Sequence, residues 1–224
     1  MNSLAAQMCQ TLGYHRLVLF PDPPSDPPTE QDVGAEMMTF AYVLDKGLAL
    51  KLGRASAFQD YDILMPSYTI SGDVTVDPWR RISMLWFRHA QIQGKVYEKL
   101  YSARARALLP EQRLQFAIGL ADEVKVMIQD SERVQHQLGT DVDVHDSNFI
   151  AWEMAGLRFA YLSDMVTYHG TLTLIYRAIP AAENAPVPFI PECIAAGRMA
   201  FHYHSECMRI TKPYLALQAC YIHW

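Results

Sequence analysis

Four groups of residues have the types and spacing that chemistry asks for. Tyr14, His15 and Arg16 stand side by side like an active-site trio, but they follow a helix stop, and the plainer reading is three exposed residues after a turn. Asp141, Asp143, His145 and Asp146 alternate as a calcium loop does. No glycine occupies the sixth position, however, and Trp152 stands where a bidentate glutamate would close the loop, so a solvated inter-helix loop is the better reading. His202 and His204 are two positions apart, which on a helix turns them roughly 200° from each other and prevents a shared metal. His204 with Cys207 or Met208 is sterically feasible, but two ligands do not make a site. Cys9, Cys193, Cys207 and Cys220 form no CxxC pair, and none has a base or an oxyanion donor close in sequence to make it a nucleophile. There is no phosphate-cradling glycine loop, nucleophile elbow, HExxH or DDxxD pattern. The nearest paired carboxylates, Asp122-Glu123 and Asp60 with Asp62, read as solvated.

Aromatic and methionine residues on inward helix faces are the other candidate. Phe40, Trp79, Trp86, Trp152, Phe159, Tyr161, Met165 and Tyr168 form an adaptable apolar set. Such a lining holds a small ligand between helices, and it is equally what an ordinary helical core contains. Phe40, Trp86, Trp152, Phe159 and Tyr168 are taken as the candidate pocket. No catalytic residue and no metal ligand is assigned.

The chain has 224 residues, enough for one large domain or two small ones. Half of it is hydrophobic and 11% aromatic, which argues for a real core. A net charge of −5 argues against a body that grips phosphates by itself. Scattered cysteines exclude a six-cysteine zinc cluster within this chain and fit a reducing compartment. No apolar run approaches the ~18 residues of a membrane span, and the first residues do not look like a signal peptide. The expectation is a soluble intracellular chain with no membrane partner.

The elements that must position these residues are helices. A short helix from Ser3 to Leu12 carries Leu4, Met8 and Leu12 on one side and stops at Gly13. Pro21 to Pro28 is a surface turn. Thr29 and Asp32 resemble a capping box that opens the central helix, on which Val33, Met37, Phe40, Ala41, Leu44 and Leu48 share one face. Gly53 is placed for a left-handed cap, and Gln59 to Asp62 form an acidic loop. After an irregular stretch, Asp77-Pro78 starts a long helix with Trp79, Ile82, Leu85, Trp86, His89, Ile92, Val96 and Leu100 at helical spacing. Its polar face carries Arg80, Arg81, Arg88, Lys95 and Lys99. Pro110 opens a helix with Leu114, Ala117, Leu120, Val124 and Met127, running to about His136. Ser147 or Asn148 caps a third long helix that is apolar almost all round and so belongs in the middle of a domain. Prolines from Pro180 to Pro191 mark a loop. Pro191 starts the last long helix, through Cys193, Ala196, Ala200 and Cys207, until Pro213 ends or kinks it. Tyr214 to Trp224 is a further apolar helical run. The fold expected is all-α, a single-domain array of about six to eight helices over residues 1–224.

Several words in this chain, in order, resemble the fungal-specific transcription factor domain, the helical middle region of fungal zinc-cluster transcription factors. They are Leu12-Gly13-Tyr14-His15-Arg16, then Asp45 to Ser56, then Gln59-Asp60-Tyr61-Asp62-Ile63, then Gln93 to Ser102. The motif positions are Leu12, Gly13, His15, Arg16, Asp45, Leu52, Gly53, Arg54, Asp60, Asp62, Gly94, Tyr97, Leu100 and Tyr101. The resemblance implies a nuclear regulatory domain that modulates transcription by RNA polymerase II on sensing an effector or partner. It implies DNA contact and zinc only through an N-terminal zinc cluster absent from this chain, and no cofactor within it. A small-molecule inducer, a repressor protein or a second copy are the implied partners. Because helices continue on both sides in the family, the chain is expected to be incomplete at both ends. Leu4, Met8, Tyr214, Leu217, Tyr221 and Trp224 should then form an exposed apolar patch larger than about 300–600 Å². The alternatives are a stand-alone helical enzyme acting on an apolar metabolite, and a structural dimerisation module.

Overall fold

The computed structural model describes residues 2–17, 27, 29–64, 78–140, 149–180, 187–212 and 214. The protein is all-α. Its helices are α1 (Asn2–Thr11), α2 (Glu30–Leu52), α3 (Pro78–Val96), α4 (Ala103–Arg106), α5 (Pro110–Thr140), α6 (Phe149–Arg177) and α7 (Pro191–Thr211), with no strand among the described residues. Most of the proline-rich turn, the stretch 65–77 with its Asp77 cap, the acidic loop at 141–146, the cap at Ser147 or Asn148, Pro186 of the prolines before Pro191, Pro213 and the final run from 215 lie outside the described residues. The chain divides into two compact units. Met1–Gly72 with Ser83–Leu109 forms the first and Asp73–Ile82 with Pro110–Trp224 the second, so α3 contributes its opening turn to the second and its remainder to the first.

In the first unit, α2 begins as its sequence requires. Thr29 Oγ1 accepts the Asp32 amide at 3.3 Å, and the Asp32 carboxylate accepts the Thr29 amide at 2.7 Å. The two bonds satisfy donors that a helix start leaves open. Gly53 closes the helix at φ 65°, ψ 33°, with its amide on the carbonyls of Ala49 and Leu50. This is the left-handed reversal that a side chain resists.

The buried face of α2 is not the stripe read from sequence. Ala35, Met38, Tyr42, Asp45, Lys46 and Ala49 are buried, whereas Val33, Met37, Phe40 and Leu44 are exposed. The helix carries apolar residues on both sides. The side that packs was disguised by two charged residues in its midst. In helix α1, Ala6 and Cys9 join the core with Ala35 and Met38, and Leu4, Met8 and Leu12 face outward. Three of these four core side chains, Ala6, Cys9 and Ala35, are small, and Met38 packs among them. For Leu4 and Met8, outward exposure is the placement that the resemblance implied. Tyr214 is half-buried, and Leu217, Tyr221 and Trp224 lie outside the described residues.

Tyr14 also departs from expectation. It is half-buried in a short 3-10 turn, Tyr14–Arg16, and its ring lies 3.0 Å from where a Cβ on Gly34 would stand. Glycine at position 34 is what lets the turn rest on α2. The helical run toward Leu100 is not continuous α-helix either. After Val96 the chain widens into one π-turn, Tyr97–Tyr101, closed by the Ser102 amide on the Tyr97 carbonyl at 2.8 Å. Ser102 then caps α4 by accepting the Ala105 amide at 3.0 Å. Leu100 is fully buried within the widened turn.

In the second unit, α6 packs on both α5 and α7. From Met154 to Arg177 only Arg158 and Arg177 are exposed, as a helix apolar on all sides requires. Helix α5 buries Ala117, Leu120, Val124 and Met127 as its spacing predicts, and extends to Thr140 rather than ending near His136. The Trp79 ring lies 3.4 Å from the position a Cβ would take on Gly156.

Two glycines give opposite outcomes by the same substitution. Gly53→Ala forces a side chain into the left-handed region and should cost about 1 kcal/mol. Gly119 lies inside α5, and a methyl group added there would meet nothing within 4 Å, so Gly119→Ala should stabilise by roughly 0.5–1 kcal/mol. Urea denaturation followed by circular dichroism measures both signs.

Candidate functional site

Two neighbouring charged residues, Asp45 and Lys46, occupy the packed face of α2, and their exposure is only 2% and 1%. Ionised groups so placed are costly unless every polar atom finds a partner. The partners come from the loop after Gly53, which folds back along the helix. Asp45 Oδ2 accepts the Ser56 hydroxyl at 2.6 Å and the Ala57 amide at 2.7 Å, with the Phe58 amide at 3.4 Å. The Ser56 oxygen in turn accepts the Phe58 amide at 3.1 Å. Lys46 Nζ donates to the Phe58 carbonyl at 3.0 Å and pairs with Asp60 Oδ1 at 2.7 Å.

Aromatic rings seal this network. The Tyr42 hydroxyl donates to Asp60 Oδ1 at 2.8 Å while its ring lies 5.2 Å beneath the Lys46 ammonium. Tyr42 stacks on Phe87 of α3 at 4.5 Å and tilts against the buried Phe58 at 5.9 Å. On the far side, Gly94 of α3 meets the lysine stem: a Cβ there would stand 3.1 Å from Lys46 Cδ and 3.2 Å from Nζ. Glycine makes room for the lysine. Beside it lies a cavity of about 130 Å³ whose walls include Lys46, Ser56, Phe58, Gly94, Tyr97 and Glu98. That volume suits a few waters or a very small polar molecule and falls below the roughly 300–1,000 Å³ of drug-sized pockets.

The motif positions therefore separate into two sets. Asp45 and Asp60 supply carboxylates to the network, Gly53 turns the loop toward it, Gly94 accommodates Lys46, and Tyr97 lines the cavity. Leu100 is core, and Tyr101 is half-buried in the π-turn. Leu12, Arg16, Leu52, Arg54 and Asp62 are exposed; Gly13 turns the chain at φ 78° and His15 is half-buried beside it. Asp60 is thus not simply solvated, as its acidic loop suggested, whereas Asp62 is. Tyr42 and Phe58 are not singled out by the sequence, and Lys46 and Ser56 enter it only as members of the resembling stretch Asp45 to Ser56. The available signal was a Lys on the same helical face as Met38, Tyr42 and Ala49, at helical spacing from them.

The candidate aromatic pocket is distributed differently. In the first unit Phe40 is exposed and its ring lies 6.3 Å from that of Trp86; neither lines the cavity. In the second unit Tyr168 is fully buried on α6 and Phe159 half-buried, while the Trp152 side chain lies outside the described residues. Nearby on α6, His169 stacks on Tyr203 of α7 at 5.5 Å, and burial holds its pKa below the ordinary histidine range. Tyr161 meets the edge of Tyr203 at 6.5 Å, and burial, with Tyr203, pushes its phenol upward. His202 and His204 are exposed, and Cys9, Cys193 and Cys207 are buried thiols. Among the described residues no three His, Cys, Asp or Glu side chains are grouped to hold a metal, and no helix is long and apolar enough to cross a membrane. No family model, curated protein or solved structure matches the chain.

The network predicts an asymmetry between acidic residues seventeen positions apart. Asp45→Ala strands the Ala57 amide and the Ser56–Phe58 turn and should cost about 3 kcal/mol, whereas Asp62→Ala should stay within about 0.5 kcal/mol; chemical denaturation compares them. A second prediction concerns His89 of α3, which is buried and whose pKa is lowered to about 3, first by burial and then by Lys51. The neutral ring is the native form, and the unfolded chain, titrating near 6.5, binds the proton first. This contribution is therefore complete above about pH 6.5 and is lost at up to about 1.4 kcal/mol per pH unit as pH falls toward 3. His89→Gln should flatten that part of the stability–pH profile, measured by urea midpoints between pH 7 and 4.

Proposed function

We propose that this chain is the helical regulatory region of a fungal zinc-cluster transcription factor, acting in the nucleus to modulate transcription by RNA polymerase II on sensing an effector or partner. The observation that supports this reading is the convergence of its motif words. Asp45, Ser56, Asp60 and Gly94 come from three of the four resembling stretches; Asp60 pairs with the buried Lys46, Gly94 lies against its stem, and Asp45 bonds Ser56 in the loop that supplies the lysine's acceptors. A resemblance by chance has no reason to place its residues in mutual contact. The net charge of −5 fits a body that leaves DNA to another domain, where zinc also belongs. In this reading the effector acts by binding one packing of the helices better than another, since equal affinity for both shifts nothing.

The test is a transcriptional fusion. The 224 residues inserted between a heterologous DNA-binding domain and an acidic activation segment should lower reporter expression several-fold against a fusion carrying an inert spacer of equal length. Asp45→Ala, at matched protein abundance, should relieve that restraint. Equal expression from the two fusions would overturn the proposal.

A further inference from the structure

The outer face of α2 has a pattern of its own. Val33, Met37, Phe40 and Leu44 are 50%, 55%, 46% and 37% exposed and follow one another at spacings of four, three and four residues. At about 100° per residue they fall within a narrow stripe, opposite the side on which Tyr42 and Ala49 are buried. The half-buried Leu48 continues the stripe. Its two ends carry opposite charge: Glu30 in the first turn and Lys51 in the last are both exposed and lie on the same line. Phe40 is held in place by the Trp86 ring at its side.

This charge order selects an occupant. A copy of α2 laid antiparallel, about a two-fold axis between Phe40 and Ala41, sets Val33 on Leu48, Met37 on Leu44 and Phe40 beside Ala41 of the second copy. In the same register Glu30 meets Lys51 of the second copy, twice by symmetry. A parallel copy instead sets Glu30 on Glu30 and Lys51 on Lys51, which repel. The seam is thus complementary to itself in one direction only, as an isologous two-fold contact demands. We propose that α2 is a self-docking helix through which two copies of this chain pair antiparallel along Val33, Met37, Phe40 and Leu44. The inference rests on the first unit alone and is independent of the proposed function.

Sedimentation velocity of the full 224-residue chain over a concentration series is the first test. A reversible monomer–dimer equilibrium is expected. Met37→Glu on the seam should weaken it tenfold or more with helicity retained by circular dichroism. Glu30→Lys alone should weaken it, and Glu30→Lys with Lys51→Glu should restore it, which a contact elsewhere would not do. A mixture of Glu30→Cys and Lys51→Cys chains should cross-link under mild oxidation far more than either chain alone, with the parent chain as control for its own thiols. A chain that stays monomeric to the highest soluble concentration overturns the proposal. So does a dimer indifferent to Met37→Glu, or preferential cross-linking of Glu30→Cys with itself.

Discussion

The first unit depends on one constraint: an ammonium group cannot remain buried without acceptors. Lys46 reaches into the packed side of α2, and the loop from Gly53 to Asp60 is arranged to answer it with a carbonyl and a carboxylate. Asp45, its neighbour, answers the loop's own need by taking the amides that the turn at Ser56 to Phe58 leaves open. Such an arrangement adds little net stability over a well-packed apolar one. What it fixes is the path of the chain, because an oily contact tolerates sliding and a set of directed hydrogen bonds does not.

The second unit is organised by a different rule. Helix α6 presents apolar surface in every direction, so its only satisfactory place is between neighbours, and α5 and α7 supply them. Several of the polar groups it carries are handled locally. Ser163, Thr167 and Thr173 return their hydroxyls to carbonyls of the same helix three or four residues earlier. One unit is specified by charge and the other by shape, and α3 belongs to both.

These differences explain what was legible in the sequence. The long helices were, with the caps of α2 at Thr29 and Gly53 and the starts at Pro110 and Pro191, because these residues act within a few residues of themselves. The all-round burial of α6 was legible too, since no arrangement of its residues yields a polar face. The inward side of α2 was not. A search for apolar periodicity is drawn to Val33, Met37, Phe40 and Leu44, and it discards a face containing Asp45 and Lys46. Only the loop brought over that face makes the two charges tolerable, and the loop arrives through tertiary structure. The π-turn at Tyr97 was hidden for a similar reason: one extra residue per turn leaves no compositional mark.

The fold-back of the loop on Asp45 also bears on how this region fluctuates. The Ala57 amide hydrogen points at a carboxylate on a helix side chain that is itself enclosed. Solvent deuterium reaches it only when the helix face and the loop part company, so the two share one opening event rather than fraying separately. A disturbance felt at the loop is then registered along the helix as a cooperative whole.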